Sequence, residues 1–196
     1  MEKIKWGMIG AGDVAEVKSG PAFQKAADSA LQAVMRRDAA RAKDFARRHG
    51  VPEWYDNAER IIQHPEINAV YIATPPSTHE DYAIRALRAG KHVYLEKPMA
   101  TSLEACQRIV DEVNKSDQKL VLAHYRRALP AFLKVKELLD QQAIGDVRFA
   151  EIRILQPAQS KLIAQTDINW RVQPEISGGG LFHDIAPHQL DLMYLY

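Results

Sequence analysis

The sequence predicts an α/β protein: a doubly wound parallel sheet, followed by the start of a second, α+β domain. Three observations predict it. Short apolar runs alternate with helical patterns through the first half of the chain. A glycine turn, Gly10-Ala11-Gly12-Asp13-Val14-Ala15, follows the first of those runs. Beyond residue 123 the alternation stops. Strands separated by helices at this spacing mean βαβ units, hence a parallel sheet with right-handed crossovers.

Each element has its own signal. Ile4 to Ile9 reads as the first strand and Ala30 to Met35 as the second. A helix over Ala39 to Arg48 follows, with Asp38 as its N-cap and Gly50 just past its end. Asn68 to Ala73 is the third strand and runs into Thr74-Pro75-Pro76. Ser77-Thr78-His79-Glu80 reads as an S-x-x-E capping box, opening a helix that stops at Gly90. Lys91 to Glu96 is the fourth strand. Thr101 to Glu104 repeats the capping box before the helical LEACQRIVDEV, and Leu120 to Ala123 is the fifth strand.

Residues 1–123 are therefore expected to form one domain, and residues 124–196 part of another. In the second part, Leu133 to Leu139 sits in a helix after Pro130, and Asp146 to Gln156 reads as one long strand. Residues 157–180 read as loop, and Leu181 to Tyr196 as helix. One strand without a successor makes no sheet, so the chain is expected to stop partway through its second domain.

Composition narrows the function classes. The 196 residues are 46% hydrophobic and 26% charged with a net charge of +1, so neither a nucleic-acid footprint nor an acidic tail is expected. Cys106 is the single cysteine, which excludes an internal disulfide and a cysteine-built metal site; in its amphipathic context it reads as a small core filler. No run approaches the ~20 apolar residues of a membrane span, and the N-terminus has no apolar leader, so a cytoplasmic location is expected. His79, His183 and His188 have no acid or histidine partners at ligand spacing, and no metal is expected.

The glycine turn carries the first chemical signal. Gly10 permits the tight turn, Gly12 lets the backbone approach a pyrophosphate, and Ala15 is small enough for helix–strand packing, with Asp13 and Val14 between them. Free N–H groups and the positive dipole end of the following helix complete a dinucleotide site of the Rossmann type. Sites selective for NAD place an acid after the second strand to take ribose hydroxyls. Here that stretch is Met35-Arg36-Arg37-Asp38. A guanidinium there can grip a 2′-phosphate, so NADP is favoured and NAD is the second choice. The alternative is that Arg36 and Arg37 are solvated charges and Asp38 only caps the helix.

Thr74-Pro75-Pro76 and Glu96-Lys97-Pro98 lie at the carboxyl ends of neighbouring strands, where open α/β sheets bind ligands. Further on, Asp184 and His188 stand at i and i+4 on a helix opened by Gly178-Gly179-Gly180, and so share a face. A carboxylate beside an imidazole orients a general acid/base, and a lysine can donate to a developing alkoxide. His79 either borders the nicotinamide pocket or is solvated, and Glu96 either orients Lys97, contacts the cofactor ribose, or is a strand-end charge. His183 reads as structural.

Taken together these residues resemble the Gfo/Idh/MocA oxidoreductases, the family of glucose–fructose oxidoreductase and inositol dehydrogenase. The resemblance runs the length of the chain through the glycine turn, VKSGPAF (17–23), YIATPPSTH (71–79), EKP (96–98), HYRR (124–127), NWR (169–171), PEISGGG (174–180) and the D-x-x-x-H helix. It implies hydride transfer between NAD(P) and a carbinol carbon of a sugar or cyclic polyol. It implies that Lys97 and His188 serve the reacting oxygen with Asp184 close by, and that the Lys97–Pro98 peptide can be cis. It offers Tyr125, Arg126, Trp170 and Arg171 as substrate or interdomain residues. Two departures stand beside the helix motif: Ala186 where the family often has glycine, and Pro187 before the histidine. Full-length members carry a second domain whose sheet covers the site and often forms a homo-oligomer interface. Two rival readings remain, a glycosidase that uses its nicotinamide within one cycle and a nucleotide-binding sensor without catalysis.

Overall fold

A computed structural model describes residues 3–12, 15–155 and 170–196. Strands β1 (Ile4–Ile9), β2 (Ser29–Met35), β3 (Glu53–Tyr55), β4 (Ala69–Ile72), β5 (His92–Leu95) and β6 (Leu120–Leu122) form one sheet in the order 3-2-1-4-5-6. Every pairing is parallel. The chain leaves β1 for β2 on one side and returns to β4 on the other, so a crevice opens at the carboxyl ends of β1 and β4.

Helices cover both faces of this sheet. A π turn, Ala15–Ser19, runs into α1 (Gly20–Lys25); α2 (Ala39–His49), α3 (Glu59–Ile62), α4 (His79–Arg88) and α5 (Leu103–Asn114) follow. On one face Ile9, Ile72 and Leu95 pack with Ile61 and Ile62 of α3, Ala83 and Leu87 of α4 and Ile109 of α5. On the other, Met8, Val34 and Tyr71 pack with Phe45 and Ala46 of α2, with Phe23 against them. Burial on both sides explains why all four residues of β4 are apolar and buried, with no alternation.

Local chemistry sets the helix ends, though not always where the sequence placed them. Asp38 caps α2 as expected, its Oδ1 accepting from Arg41 N at 3.1 Å, and Gly50 closes the helix in the left-handed region. The two capping boxes are corrected. Pro75 and Pro76 wind Pro76–Thr78 into a 3-10 turn, so α4 begins at His79 with Thr78 before it, and Thr78 Oγ1 bonds back to Thr74 Oγ1 and Pro75 O. Glu80 is consequently free to pair with Arg108 of α5. At α5 the cap is Ser102, whose Oγ accepts from Ala105 N; Thr101 lies one residue outside. The brief β3 and α3 had no expectation at all.

Beyond β6 a 3-10 turn, Tyr125–Ala128, leads into α6 (Pro130–Asp140). After the undescribed stretch come a 3-10 turn at Trp170–Val172, α7 (Pro174–Ser177) and α8 (Gly180–Leu195), where a loop was expected up to residue 180. Pro187 lies inside α8, and the helix continues past it. The expected strand from Asp146 is also corrected: residues 146–155 pair with no strand among the described residues, and Phe149 and Leu155 are almost fully exposed. A strand exists only by hydrogen bonding to a neighbouring strand, and none pairs with this segment among the described residues. Gln156 lies outside them.

Candidate active site

The glycine turn is stitched to the end of β2. Gly10 N and Ala11 N both donate to Met35 O, at 3.0 and 3.1 Å. Gly10 has φ +99°, and a Cβ there would come within 2.7 Å of the Ala73 carbonyl, so only glycine lets β1 end this close to β4. A Cβ on Gly12 would meet nothing nearer than 4.0 Å. That open backbone beside the start of a helical turn is the cradle a pyrophosphate needs, and these residues fit a dinucleotide. Ala15 is buried under the turn. Asp13 and Val14, and Asn169 of the NWR run, lie outside the described residues.

Arg36 reaches back across this turn, its Nη1 donating to Ala11 O at 3.1 Å, whereas Arg37 is exposed. The acid nearest the end of β2 is Asp38, and its carboxylate is occupied at the N-cap of α2, with Arg41 Nε 3.5 Å away.

At the carboxyl ends of β4 and β5 the two candidate loops are tied together by His79. The imidazole is wholly buried, with Nε2 2.8 Å from Thr74 O and Nδ1 2.9 Å from Pro98 O. Burial lowers its pKa. His79 is thus not solvated; it braces Thr74-Pro75 against Lys97-Pro98, whose peptide is cis.

Lys97 and Glu96 point to different partners. Glu96 accepts from Tyr71 OH at 2.6 Å. Lys97 Nζ donates to Asp184 Oδ1 at 2.8 Å and to Asp184 O at 2.5 Å, and Arg171 Nε donates to Asp184 Oδ2 at 3.2 Å. Asp184 therefore serves two cations, and the expected Asp184–His188 contact is replaced by this pair. Helical spacing showed only that Asp184 and His188 share a face; Lys97, arriving from β5, takes the carboxylate. The guanidinium of Arg171 also stacks 4.5 Å above Trp170.

His188 stands one turn along α8, buried, with the Tyr125 ring edge-on at 5.3 Å and the His124 ring at 6.1 Å. Burial, and then the Lys97 charge, push its pKa down to about 4, with Arg126 acting in the same direction. At neutral pH the imidazole is unprotonated, the state of a general base. Among the described residues its Nδ1 has no hydrogen-bond partner. Two residues here were not expected from sequence. His124, at the start of the 3-10 turn after β6, has its pKa lowered by burial. Arg127 holds α8 by a double contact to Asp191, at 3.0 and 2.5 Å. The HYRR run was the available signal for both.

The triple glycine explains how α8 approaches. Gly178 has φ +85°, and a Cβ on it would lie 3.0 Å from Thr101 Cα. Backbone meets backbone there, beside the loop that follows Lys97-Pro98.

Two family models match the chain. The model described as "Oxidoreductase family, NAD-binding Rossmann fold" matches residues 4–124, and the GFO/IDH/MocA C-terminal domain matches residues 132–196. The chain belongs to the GFO/IDH/MocA oxidoreductase family. It is 59% identical over 194 residues to an oxidoreductase of Formosa agariphila, covering 99% of this chain and 60% of that protein. It is 35% identical to a levoglucosan dehydrogenase of Pseudarthrobacter phenanthrenivorans, over 77% of this chain and 38% of the relative. Among solved structures, an oxidoreductase of Thermotoga maritima superposes with a TM-score of 0.85 at 29% identity, over 99% of this chain and 60% of that one. A levoglucosan dehydrogenase in complex with NADH and levoglucosan superposes with a TM-score of 0.81 at 28% identity, over 99% and 54%. The chain thus spans 60% or less of these GFO/IDH/MocA proteins. Among the described residues no helix is long and apolar enough to cross a membrane.

Proposed function

We propose that the protein carrying this chain oxidises and reduces a carbinol carbon of a sugar or cyclic polyol, with NADP as preferred cofactor and NAD as second choice. Residues 1–123 form its nucleotide domain and residues 124–196 contribute to its substrate domain. The observation that carries this reading is the meeting of Lys97, from the end of β5, with Asp184 and His188 of α8 beside the nucleotide crevice. The bound nicotinamide supplies the acceptor for a hydride, which leaves the carbinol carbon as its C–H bond breaks. His188, neutral at physiological pH, takes the hydroxyl proton. Lys97 donates a hydrogen bond to the oxygen as its charge develops. Asp184, itself held by Arg171, holds the Lys97 ammonium in place, and Tyr125, Arg126 and Trp170 line the substrate side. The levoglucosan complex of a relative supports the sugar class.

Arg36 beside the glycine turn, with Asp38 committed to its cap, supports NADP. The substrate domain is completed in the full-length protein, where homo-oligomers and a cytoplasmic location are expected. The test is turnover of a panel of sugars and polyols by the full-length protein, followed through the absorbance of reduced nicotinamide, with Lys97→Ala alongside. Wild-type reduction of NADP that collapses in Lys97→Ala supports the reading, and an undiminished Lys97→Ala rate overturns it. Release of an aglycone without net reduction of NADP identifies the glycosidase instead, and binding without turnover identifies the sensor.

A further inference from the structure

Tyr71, in β4, is wholly buried. Its ring stacks on Tyr94 at 5.4 Å and meets Phe23 edge-on at 5.2 Å. A buried phenol needs hydrogen-bond partners, and this one takes two from separate elements. The hydroxyl oxygen is 2.6 Å from Glu96 Oε1 and 2.8 Å from Ser19 Oγ. Counting protons sets the direction of the chain. A carboxylate has no proton to give, so Tyr71 donates to Glu96; the phenol has only one, so Ser19 donates to Tyr71. Burial and the Glu96 charge push the Tyr71 pKa far up, which keeps that proton in place.

Both ends of this relay reach the crevice. Ser19 closes the π turn that starts at Ala15, and Glu16 N in that turn donates to Gly12 O at 3.0 Å. Single π turns recur at functional positions. At the other end Glu96 N donates to Ile72 O at 3.0 Å, and Lys97 follows it in sequence. Glu96 turns toward Tyr71 and Ser19 while Lys97 turns toward α8, as successive residues at a strand end do. Among the described residues Glu96 Oε2 accepts no hydrogen bond, so it remains available to a hydroxyl or amide donor of the cofactor.

We infer that Tyr71 is a positioning residue that couples the seating of the dinucleotide phosphates at the glycine turn to the placement of the Glu96 carboxylate. This rests on the cofactor reading above. Phosphates bound at Gly10 and Gly12 settle the π turn through the Glu16 N to Gly12 O bond, the π turn sets Ser19, and Ser19 sets the hydroxyl that holds Glu96.

The test titrates NADPH into the full-length protein by nicotinamide fluorescence and measures melting without cofactor. Tyr71→Phe keeps the ring contacts and deletes only the hydroxyl. Its Kd is expected to rise about tenfold, since hydrogen bonds to charged groups are among the stronger ones. Ser19→Ala should raise Kd less, and the double variant should match Tyr71→Phe, because the relay is already cut. A purely structural tyrosine would lower the melting temperature and leave Kd unmoved. Tyr71→Phe within twofold of wild type, or additive effects in the double variant, overturns the inference and leaves the cofactor reading intact. Failure of the wild type to bind NADPH or NADH overturns both. If Tyr71→Phe does not fold, Ser19→Ala and Glu96→Gln form the cycle, with coupled effects expected and additive ones overturning it.

Discussion

Lys97 Nζ stands 2.8 Å from Asp184 Oδ1, joining residues 87 positions apart in the chain. Side-chain exposures of 14% and 20% leave the pair mostly out of water, and Arg171 leans on the same carboxylate. Asp184→Asn removes the charge that balances two cations. Breaking such a buried pair costs about 3 kcal/mol of stability, because the cations stay behind uncompensated. Chemical denaturation of the full-length variant should show that loss. If Lys97 serves the reacting oxygen as proposed, kcat should fall about 100-fold while the Kd for NADPH holds, since the lysine loses the carboxylate that holds it.

The depressed His188 pKa makes a pH prediction with a definite sign. The unfolded group titrates near 6.5 and the folded one near 4, so between these values the unfolded chain binds the extra proton. The stability that a neutral His188 contributes is fully present above pH ~6.5 and is lost as pH falls through about 4. The acid limb of kcat/KM should accordingly lie near pH 4 rather than near 6.5. Lys97→Ala removes one of the charges holding the pKa down, and its residual activity should show the acid limb moved upward. An acid limb unmoved between the two proteins would mean that Lys97 does not act on His188.

The parallel sheet was legible because its signals are local: apolar runs, Asp38 before a helix, Gly50 and Gly90 after one. β3 escaped notice because three residues, Glu53–Tyr55, carry no period to read. Capping boxes misled because S-x-x-E also fits a segment that two prolines wind into a 3-10 turn. Lys97, Asp184 and His188 stood out as candidates, but the pairing of Lys97 with Asp184 was not legible, since spacing along one helix says nothing of what another strand delivers to it. His79 became interpretable only when Thr74 O and Pro98 O were seen on either side of its ring.

Gly178→Ala should separate the position of α8 from its chemistry. At φ +85° the new Cβ meets Thr101 Cα at 3.0 Å and Thr101 O at 3.2 Å, and both are backbone atoms that cannot turn aside. Left-handed strain and this contact together should cost about 2 kcal/mol. The displacement carries Asp184 and His188 away from Lys97. Turnover should drop by at least tenfold while NADPH binding, centred on the glycine turn after β1 that Gly178 does not meet, stays within about twofold.

Arg36 decides between two accounts of cofactor choice. Its Nη1 donates to Ala11 O, so it braces the glycine turn whatever nucleotide is bound. If its guanidinium also meets a 2′-phosphate, Arg36→Ala should raise the Kd for NADPH by about tenfold or more, the worth of a charge-assisted contact. The Kd for NADH should then change by about threefold at most, the worth of one neutral-acceptor hydrogen bond near the surface. Paired titrations with NADPH and NADH distinguish the two. Equal losses for both cofactors would reduce Arg36 to a brace and remove the case for NADP, whereas a loss confined to NADPH assigns it the phosphate. Arg37→Ala, exposed and without a hydrogen bond to the turn among the described residues, should move the NADPH value in the same direction but by less, since a solvated cation contributes mainly screened attraction.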